Sequence, residues 1–470
     1  MTARPNGASP DQVLADLWAI GEGDPAALQR VTLTGTDPAL PSSFRVGTAA
    51  QASIAAAGLA AAEVWRLRTR REQTVAVAMR HAAVECRSER YMRLDGKPPG
   101  PLWDKIAGVY ATGDGRKVRL HTNFPHHRDG ILKLLGCAHD REAVQRALRT
   151  WQAEPFETAA AEAGLVATML RTPAEWAAHG QGQAVAGLPL LEIVKIGEAP
   201  PGRLPARPER PLSDVRALDL TRVIAGPVCS RTLAAHGADV MRVTAPHLPG
   251  LPDLDIDMGR GKLSAGIDLR ATDDGDWLRA LVREAHILVQ AYRPGGLAAK
   301  GFSPEALAEM RPGIVVVTLT AYGHAGPWAG RRGFDSLVQN ACGLNVAEAE
   351  AAGVPAPKEL PAQALDHASG YLMAFGAQMA LMRKLREGGS WHVRVSLAQT
   401  AHWLAGLGRV EDGFACTEPT GEEIQALTDA MATPFGRLGF VRHAAILPDT
   451  PACWARPPVP LGTHAPVWPV

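Results

Sequence analysis

An excess of charge of either sign is missing from this chain. Its 470 residues carry 49 Lys and Arg against 48 Asp and Glu, a formal net charge of +1. A general nucleic-acid binder shows a basic surplus, so nucleic acid is not an expected partner. Aromatic residues make up only 5%, which leaves the core to aliphatic and small side chains. The six cysteines, at 86, 137, 229, 342, 416 and 453, include no CxxC pair. That spacing argues against a disulfide framework or a cysteine zinc site and reads as free thiols in a reducing compartment. No apolar run of about 18 residues occurs, so no membrane span is expected. The opening MTARPNGASPDQ lacks the apolar centre of a signal peptide. The expectation is a cytoplasmic protein.

What is present has ordinary globular proportions, 46% hydrophobic and 21% charged, at a length that suits two or three domains. Residues 10–21 read as a short amphipathic helix opened by Pro and closed by Gly. Residues 49–68 are Ala-rich and helical, 75–79 a buried strand, and 107–123 a strand, turn and strand. The stretch APPGRLPARPERPL at 199–212 reads as a linker. Beyond it, strand patterns at 215–220, 238–244, 264–269, 286–292 and 313–323 alternate with helical ones. Such alternation predicts the fold class α/β, with a Rossmann-like parallel sheet, a smaller α/β region and additional helices. Ligands of such sheets sit at the carboxyl ends of the strands, which directs attention to the loops after 220, 292 and 323.

A faint internal repeat runs through the chain. Residues 48–82 align without gaps on 366–400: Gly58 meets Gly376, Arg68 meets Arg386, Val75 meets Val393 and Val77 meets Val395. Asp366 of the second copy is Thr48 in the first.

Three motifs stand in order in the second half: LDLTRVIAGPVCSRTLAAHGADVMRV (218–243), AYGHAGPWAGRRGFDSLVQNACG (321–343) and ALDHASGYLMAFGAQMALMRKLREGGSWHVRVSLAQT (364–400). Together they resemble the opening unit, the glycine-rich signature and the catalytic segment of family III CoA-transferases, the CaiB/BaiF type. The first half is similar to the same family out of order. Residues 45–82 look like a degenerate catalytic segment, and 103–120 and 171–182 like parts that normally follow it. The expected divisions are a helical extension (1–40), a region similar to the family's later half (41–198), a linker (199–211), a CoA-binding catalytic region (212–405) and a C-terminal segment (406–470). The Pro-rich end of that last segment is expected to lie extended on the surface.

The resemblance implies coenzyme A as a substrate thioester, a carboxylic acid as the second substrate, no metal, and a homodimer. It makes Asp366 the covalent carboxylate: a carboxylate can attack a thioester, form a mixed anhydride and expel CoA thiolate. The alternative for Asp366 is an ordinary helix N-cap. A helix N-terminus is also expected to keep it ionised. Glycine-rich loops at 323–326, 343 and 388–389 are expected to bring backbone donors to the oxyanion. Arg222, Val223, Ile224 and Ala225 correspond to adenine and pantetheine contacts, Arg242 and Lys262 to basic residues near the phosphates, and Tyr292 to the aromatic of an Asn-aromatic-Arg-Pro-Gly stretch. For Arg242 and Lys262 the alternative is solvated surface charge. Two positions depart from the pattern: Ala291 stands for Asn, and Ala299, beside Lys300, for Arg. Asp335 reads as a structural hydrogen-bonder, and His121, His126 and His127 as histidines without a metal.

Two other functions are open. A related α-methylacyl-CoA racemase needs an acid and a base, yet Phe334 and Phe124 stand where the resemblance puts His and Glu. A non-catalytic relative fits the permuted order but not the intact motif around Asp366.

Overall fold

The computed structural model describes residues 7–205, 208–271 and 273–469; residues 1–6 of the expected extension and 206–207 of the expected linker lie outside them. The α/β class expected from the strand–helix alternation is the one found. A seven-stranded sheet holds the C-terminal half together. Its strands lie in the order Lys262–Gly266, Asp239–Thr244, Arg216–Leu220, Ile287–Gln290, Val315–Thr320, Ser390–Ser396 and Leu191–Gly197. The first six are parallel, and Leu191–Gly197 closes the edge antiparallel. In chain sequence the parallel strands therefore run 3-2-1-4-5-6. Runs such as IVVV at 314–317, sealed from solvent, are what a parallel sheet covered on both faces requires.

The first half supplies more than additional helices. Its strands Gly108–Ala111, Lys117–Leu120 and Ala167–Met169 form an antiparallel sheet. A separate core of Tyr110, Val118, Ile131, Val144, Leu148 and Phe156 seals it against nearby helices. This is the smaller α/β region.

The repeat is structural. Helices Val46–Thr69 and Ala364–Glu387 begin and end at the same offset of 318 positions. Each leads into a strand, Val75–Ala78 or Ser390–Ser396, that pairs in parallel with an earlier one, Val31–Thr34 or Val315–Thr320. The helix starts also match. Asp37 accepts the amides of Gly47 and Thr48 at 3.0 and 3.1 Å; Asp335 accepts those of Leu365 and Asp366 at 2.8 and 2.9 Å. The two long helices pack on each other, with Gln378 Nε2 donating to the Ala57 carbonyl at 3.0 Å. They differ in what precedes them: residues 35–45 stand where the second copy has 321–363.

Residues 442–469 form no helix or strand, and the Pro-rich end lies mostly on the surface as expected, but it is anchored rather than loose. Trp454 and Trp468 are buried, their indole N–H groups donating to the carbonyls of Arg231 and Leu281 at 3.0 Å each. His464 N donates to Ser264 O at 2.7 Å, beside the sheet edge. Indole rings bury large apolar area once their N–H finds an acceptor, so Trp spacing outweighs Pro content here.

Candidate active site

The site is built around the loop after strand Arg216–Leu220. Asp219, sealed in the core, accepts from Thr221 N at 3.0 Å, Ser230 Oγ at 2.6 Å and Lys262 Nζ at 2.8 Å. This knot fixes the turn into helix Ala225–Ala235. Val223 in that turn has φ of 72°. For a β-branched residue this conformation costs about 1–3 kcal/mol, and such strain concentrates at functional sites. Helix Ala225–Ala235 lies hard against helix Ala364–Glu387; a Cβ at Gly370 would stand 2.5 Å from the Ala225 carbonyl oxygen.

Two adjoining cavities of 520 and 420 Å³ open at the carboxyl ends of the parallel strands. Leu220, His247, Leu248, Tyr292, Arg293 and Arg332 line both. Val223 and Arg222 line the larger, where the Arg222 guanidinium lies 4.5 Å over the Phe124 ring. Ile224 and Ala225 are buried at the helix start and line neither cavity. Ala291 lies on the larger cavity and Lys300 on the smaller, so Lys300 supplies a cation beside the position where Ala299 lacks one.

Arg242 and Lys262 require correction. Neither is solvated and neither lines the cavities. Arg242 pairs with Asp255. Lys262 is locked between Asp219 and the Pro227 carbonyl at 2.8 and 3.0 Å. Burial pulls its ammonium down to about 8, with Asp219 opposing. The resemblance implied a phosphate contact; the carboxylate that claims the lysine lies two strands away in the sheet, where sequence spacing does not reveal it.

Asp366 is not an N-cap. Gln363 holds that position, and Asp335 accepts the amides at the helix start, the structural role expected of it. The Asp366 carboxyl makes no hydrogen bond or ion pair among the described residues, and the residue keeps 7% of its surface exposed. Its oxygens are absent from the sealed, unpaired polar atoms, so they retain contact with the outside. The helix start therefore does not favour the charged form of Asp366 in the way expected of an N-terminal carboxylate. Burial first, then the charges of Asp335 and Glu89, hold its carboxyl well above the usual range. Asp335 itself is raised to about 6, chiefly by burial. Because Asp335 occupies the helix-start amides, the stabilisation a helix N-terminus offers is spent on the wrong carboxylate. Asp366 does not line the two cavities; the link is Phe334, on the wall of the larger one and adjacent in sequence to Asp335.

The glycine loops mostly serve packing. Gly388 and Gly389 lie at the far end of the Asp366 helix, roughly 33 Å away at 1.5 Å per residue, and cannot reach the site. A Cβ at Gly343 would meet Pro173 N at 2.4 Å, and one at Gly326 would meet Gln181 and Ala184 at 2.6 Å. Phe124 and Phe334 share the larger cavity, ring centroids 6.1 Å apart. His121 stacks on Phe334 at 3.9 Å, and burial pushes its imidazole down to about 3. No group of three or more His, Cys, Asp or Glu suited to a metal occurs among the described residues.

Residues 212–435 match the family model described as CoA-transferase family III. Over this region the chain is similar to that family. An acyl-CoA transferase of Gibberella moniliformis is 27% identical, covering 82% of this chain and 74% of that protein. An acetyl-coenzyme A transferase of Hypoxylon pulicicidum is 29% identical over 64% of this chain and 54% of its own length. A probable fatty acyl-CoA transferase of Mycobacterium tuberculosis is 32% identical over 42% and 52% respectively. The chain thus spans about half the length of the latter two. A crystal structure of Rv3272 from M. tuberculosis superposes with a TM-score of 0.38 at 30% identity, over 42% of this chain and 58% of that one.

Proposed function

We propose that this protein is a CoA-transferase that moves CoA from an acyl-CoA thioester to a carboxylic acid, with Asp366 as the transient acyl carrier. The observation that carries the reading is an unpaired carboxyl at the start of a buried helix, within a family III region. The sheet order 3-2-1-4-5-6 is that of a Rossmann-like dinucleotide fold, which suits an adenine nucleotide at the two cavities.

Asp366 acts as its carboxylate, because only that form is a nucleophile. It attacks the thioester carbonyl carbon; the C–S bond breaks, leaving an acyl-aspartyl anhydride and CoA thiolate. The thiolate attacks the aspartyl carbonyl, forming an aspartyl-CoA thioester and releasing the first acid. The incoming carboxylate attacks that thioester and regenerates an anhydride. Thiolate attack on its acyl carbonyl then gives the new acyl-CoA and free Asp366. Arginines at 222, 293, 331 and 332 on the larger cavity, which no Asp or Glu lines, suit the anionic substrates.

The racemase reading has less support. Phe124 and Phe334 carry no exchangeable ring proton, and they occupy the wall where an acid and a base would stand. The resemblance implies a homodimer, whereas the pairing of the two repeat helices supplies a two-copy contact inside one chain; sedimentation velocity separates the two forms. Six unpaired cysteines and the lack of any described helix long and apolar enough to cross a membrane support a cytoplasmic location. The direct test is Asp366→Ala, which should abolish transfer while preserving the circular dichroism spectrum. Full transfer by that variant would end the proposal.

A further inference from the structure

The amino ends of the parallel strands carry a pocket of their own, at the opposite edge of the sheet from the two cavities. It measures 220 Å³ and lies between residues 199–204, His286, the turn at 311–313 and the end of helix Ala364–Glu387. Backbone bonds fix its walls: Gly389 N donates to the Ala199 carbonyl at 2.9 Å, and Gly202 N to the Lys384 carbonyl at 3.2 Å. Lys384 lies about five turns down the helix from Asp366, roughly 27 Å at 1.5 Å per residue.

Lys384 decides what the pocket can hold. The residue is only 6% exposed, yet its ammonium makes no hydrogen bond or ion pair among the described residues. The end of its side chain lies between two glycines of the pocket wall. A Cβ at Gly202 would stand 3.2 Å from its Cε, and one at Gly313 3.3 Å from it. Nζ is absent from the sealed, unpaired polar atoms, so it faces open space. Arg311, also on the wall, spends its Nε on the Ala285 carbonyl at 3.2 Å, and its two Nη groups carry no bond among the described residues. His286 Nδ1 accepts the Arg216 amide at 3.1 Å, which leaves Nε2 to carry the ring hydrogen. Burial, then the charges of Lys384 and Arg311, push that imidazole down to about 3, so it is neutral.

Nothing offsets this charge. Arg203 adds a further cation to the lining, and no Asp or Glu among the described residues lines the pocket. The next cations out, Arg68 and Arg216, are already paired with Asp214 and Glu284. Burial, then the charge of Arg311, pulls the Lys384 ammonium down to about 8. A buried ammonium beside a guanidinium opposes folding unless an anion joins them. A lysine in the last turn also complements the helix dipole, but that role requires neither burial nor a second cation.

We propose that this pocket binds a phosphate group, either the free ion or the end of a small phosphate monoester. Lys384 supplies a point charge, Arg311 a planar fork and His286 a neutral donor, each from a separate segment of the chain. Donors arriving from separate segments suit a tetrahedral dianion better than a planar carboxylate. Bound there, the anion ties residues 199–204 to the far end of the Asp366 helix. Its binding is independent of transfer at Asp366.

Titration calorimetry and thermal melting of the full chain in phosphate-free buffer test this, with inorganic phosphate, glycerol 3-phosphate and acetate as probes. At least one phosphate probe should bind and raise the melting temperature, and acetate should bind at least about tenfold more weakly. Tighter binding of glycerol 3-phosphate marks an esterified ligand, and tighter binding of inorganic phosphate the free ion. Lys384→Met should weaken the phosphate probe on the order of 10- to 100-fold, the worth of a charged hydrogen bond. Without phosphate it should melt no lower than wild type, because an unpaired buried charge is gone. Arg311→Gln should weaken the same probe. Absent binding of both phosphate probes, or acetate equal to them, would overturn the proposal. So would a Lys384→Met variant that melts lower without phosphate yet binds phosphate as wild type does, which would leave Lys384 as a helix-dipole partner. CoA is the control: a Lys384→Met loss that falls on CoA would overturn the proposal by making the pocket part of the CoA site.

Discussion

The matched helix starts permit a paired test. Asp335→Ala removes the acceptor for the Leu365 and Asp366 amides, and Asp37→Ala removes the one for Gly47 and Thr48. A buried amide left without an acceptor costs about 1–3 kcal/mol. Two such groups at each site, partly rehydrated, give an expected loss of about 2–4 kcal/mol per variant. Urea denaturation followed by circular dichroism reads both. The pH dependence adds a sign. The folded Asp335 carboxyl is raised to about 6, so its contribution is fully present below the unfolded value and fades as pH rises through about 6. Asp335→Ala should therefore cost more at pH 4 than at pH 8. The two variants should part in function, with Asp335→Ala losing transfer and folded Asp37→Ala retaining it. A loss under about 1 kcal/mol at either site, or a larger loss at pH 8 for Asp335→Ala, would refute the capping argument.

Other expectations follow from the same contacts. Lys262→Met leaves Asp219 buried without its cation and should destabilise by about 3–5 kcal/mol; equal stability to wild type in denaturant would contradict its role as a strut. Asp366→Asn should be more stable than wild type at pH 8, because the wild-type carboxyl is held above its unfolded range and ionisation there opposes folding. That advantage should vanish near pH 3, and a melting series across pH checks it. Incubated with an α-methylacyl-CoA in deuterium oxide, the wild type should place no deuterium at the α-carbon; incorporation seen by mass spectrometry would revive the racemase alternative.

Local pattern carried a large part of the fold. Val–Ile runs between helical stretches foretold the parallel sheet, and Ser9 and Gly21 bound the first helix almost where Pro and Gly implied. The repeat was visible too, because a small-residue helix followed by a β-branched strand leaves a periodic trace. Asp335 was legible as a structural hydrogen-bonder, but its acceptance of the Asp366 amide was not: the contact spans 31 positions. Lys262 failed for the same reason, since its partner Asp219 lies across the sheet. Asp219 left one local signal that was missed, an Asp two residues before Thr221, the spacing of a side-chain turn. The upward shift of the Asp366 carboxyl was illegible because it depends on burial, on Asp335 and on Glu89 from the distant first half.

The most direct measurement is hydroxylamine trapping during incubation with an acyl-CoA and an acid, followed by peptide mass spectrometry. A hydroxamate on the peptide starting the 364–387 helix, localised to Asp366, is the predicted product. Sustained transfer with that side chain unmodified, or trapping at another carboxylate, would contradict the account.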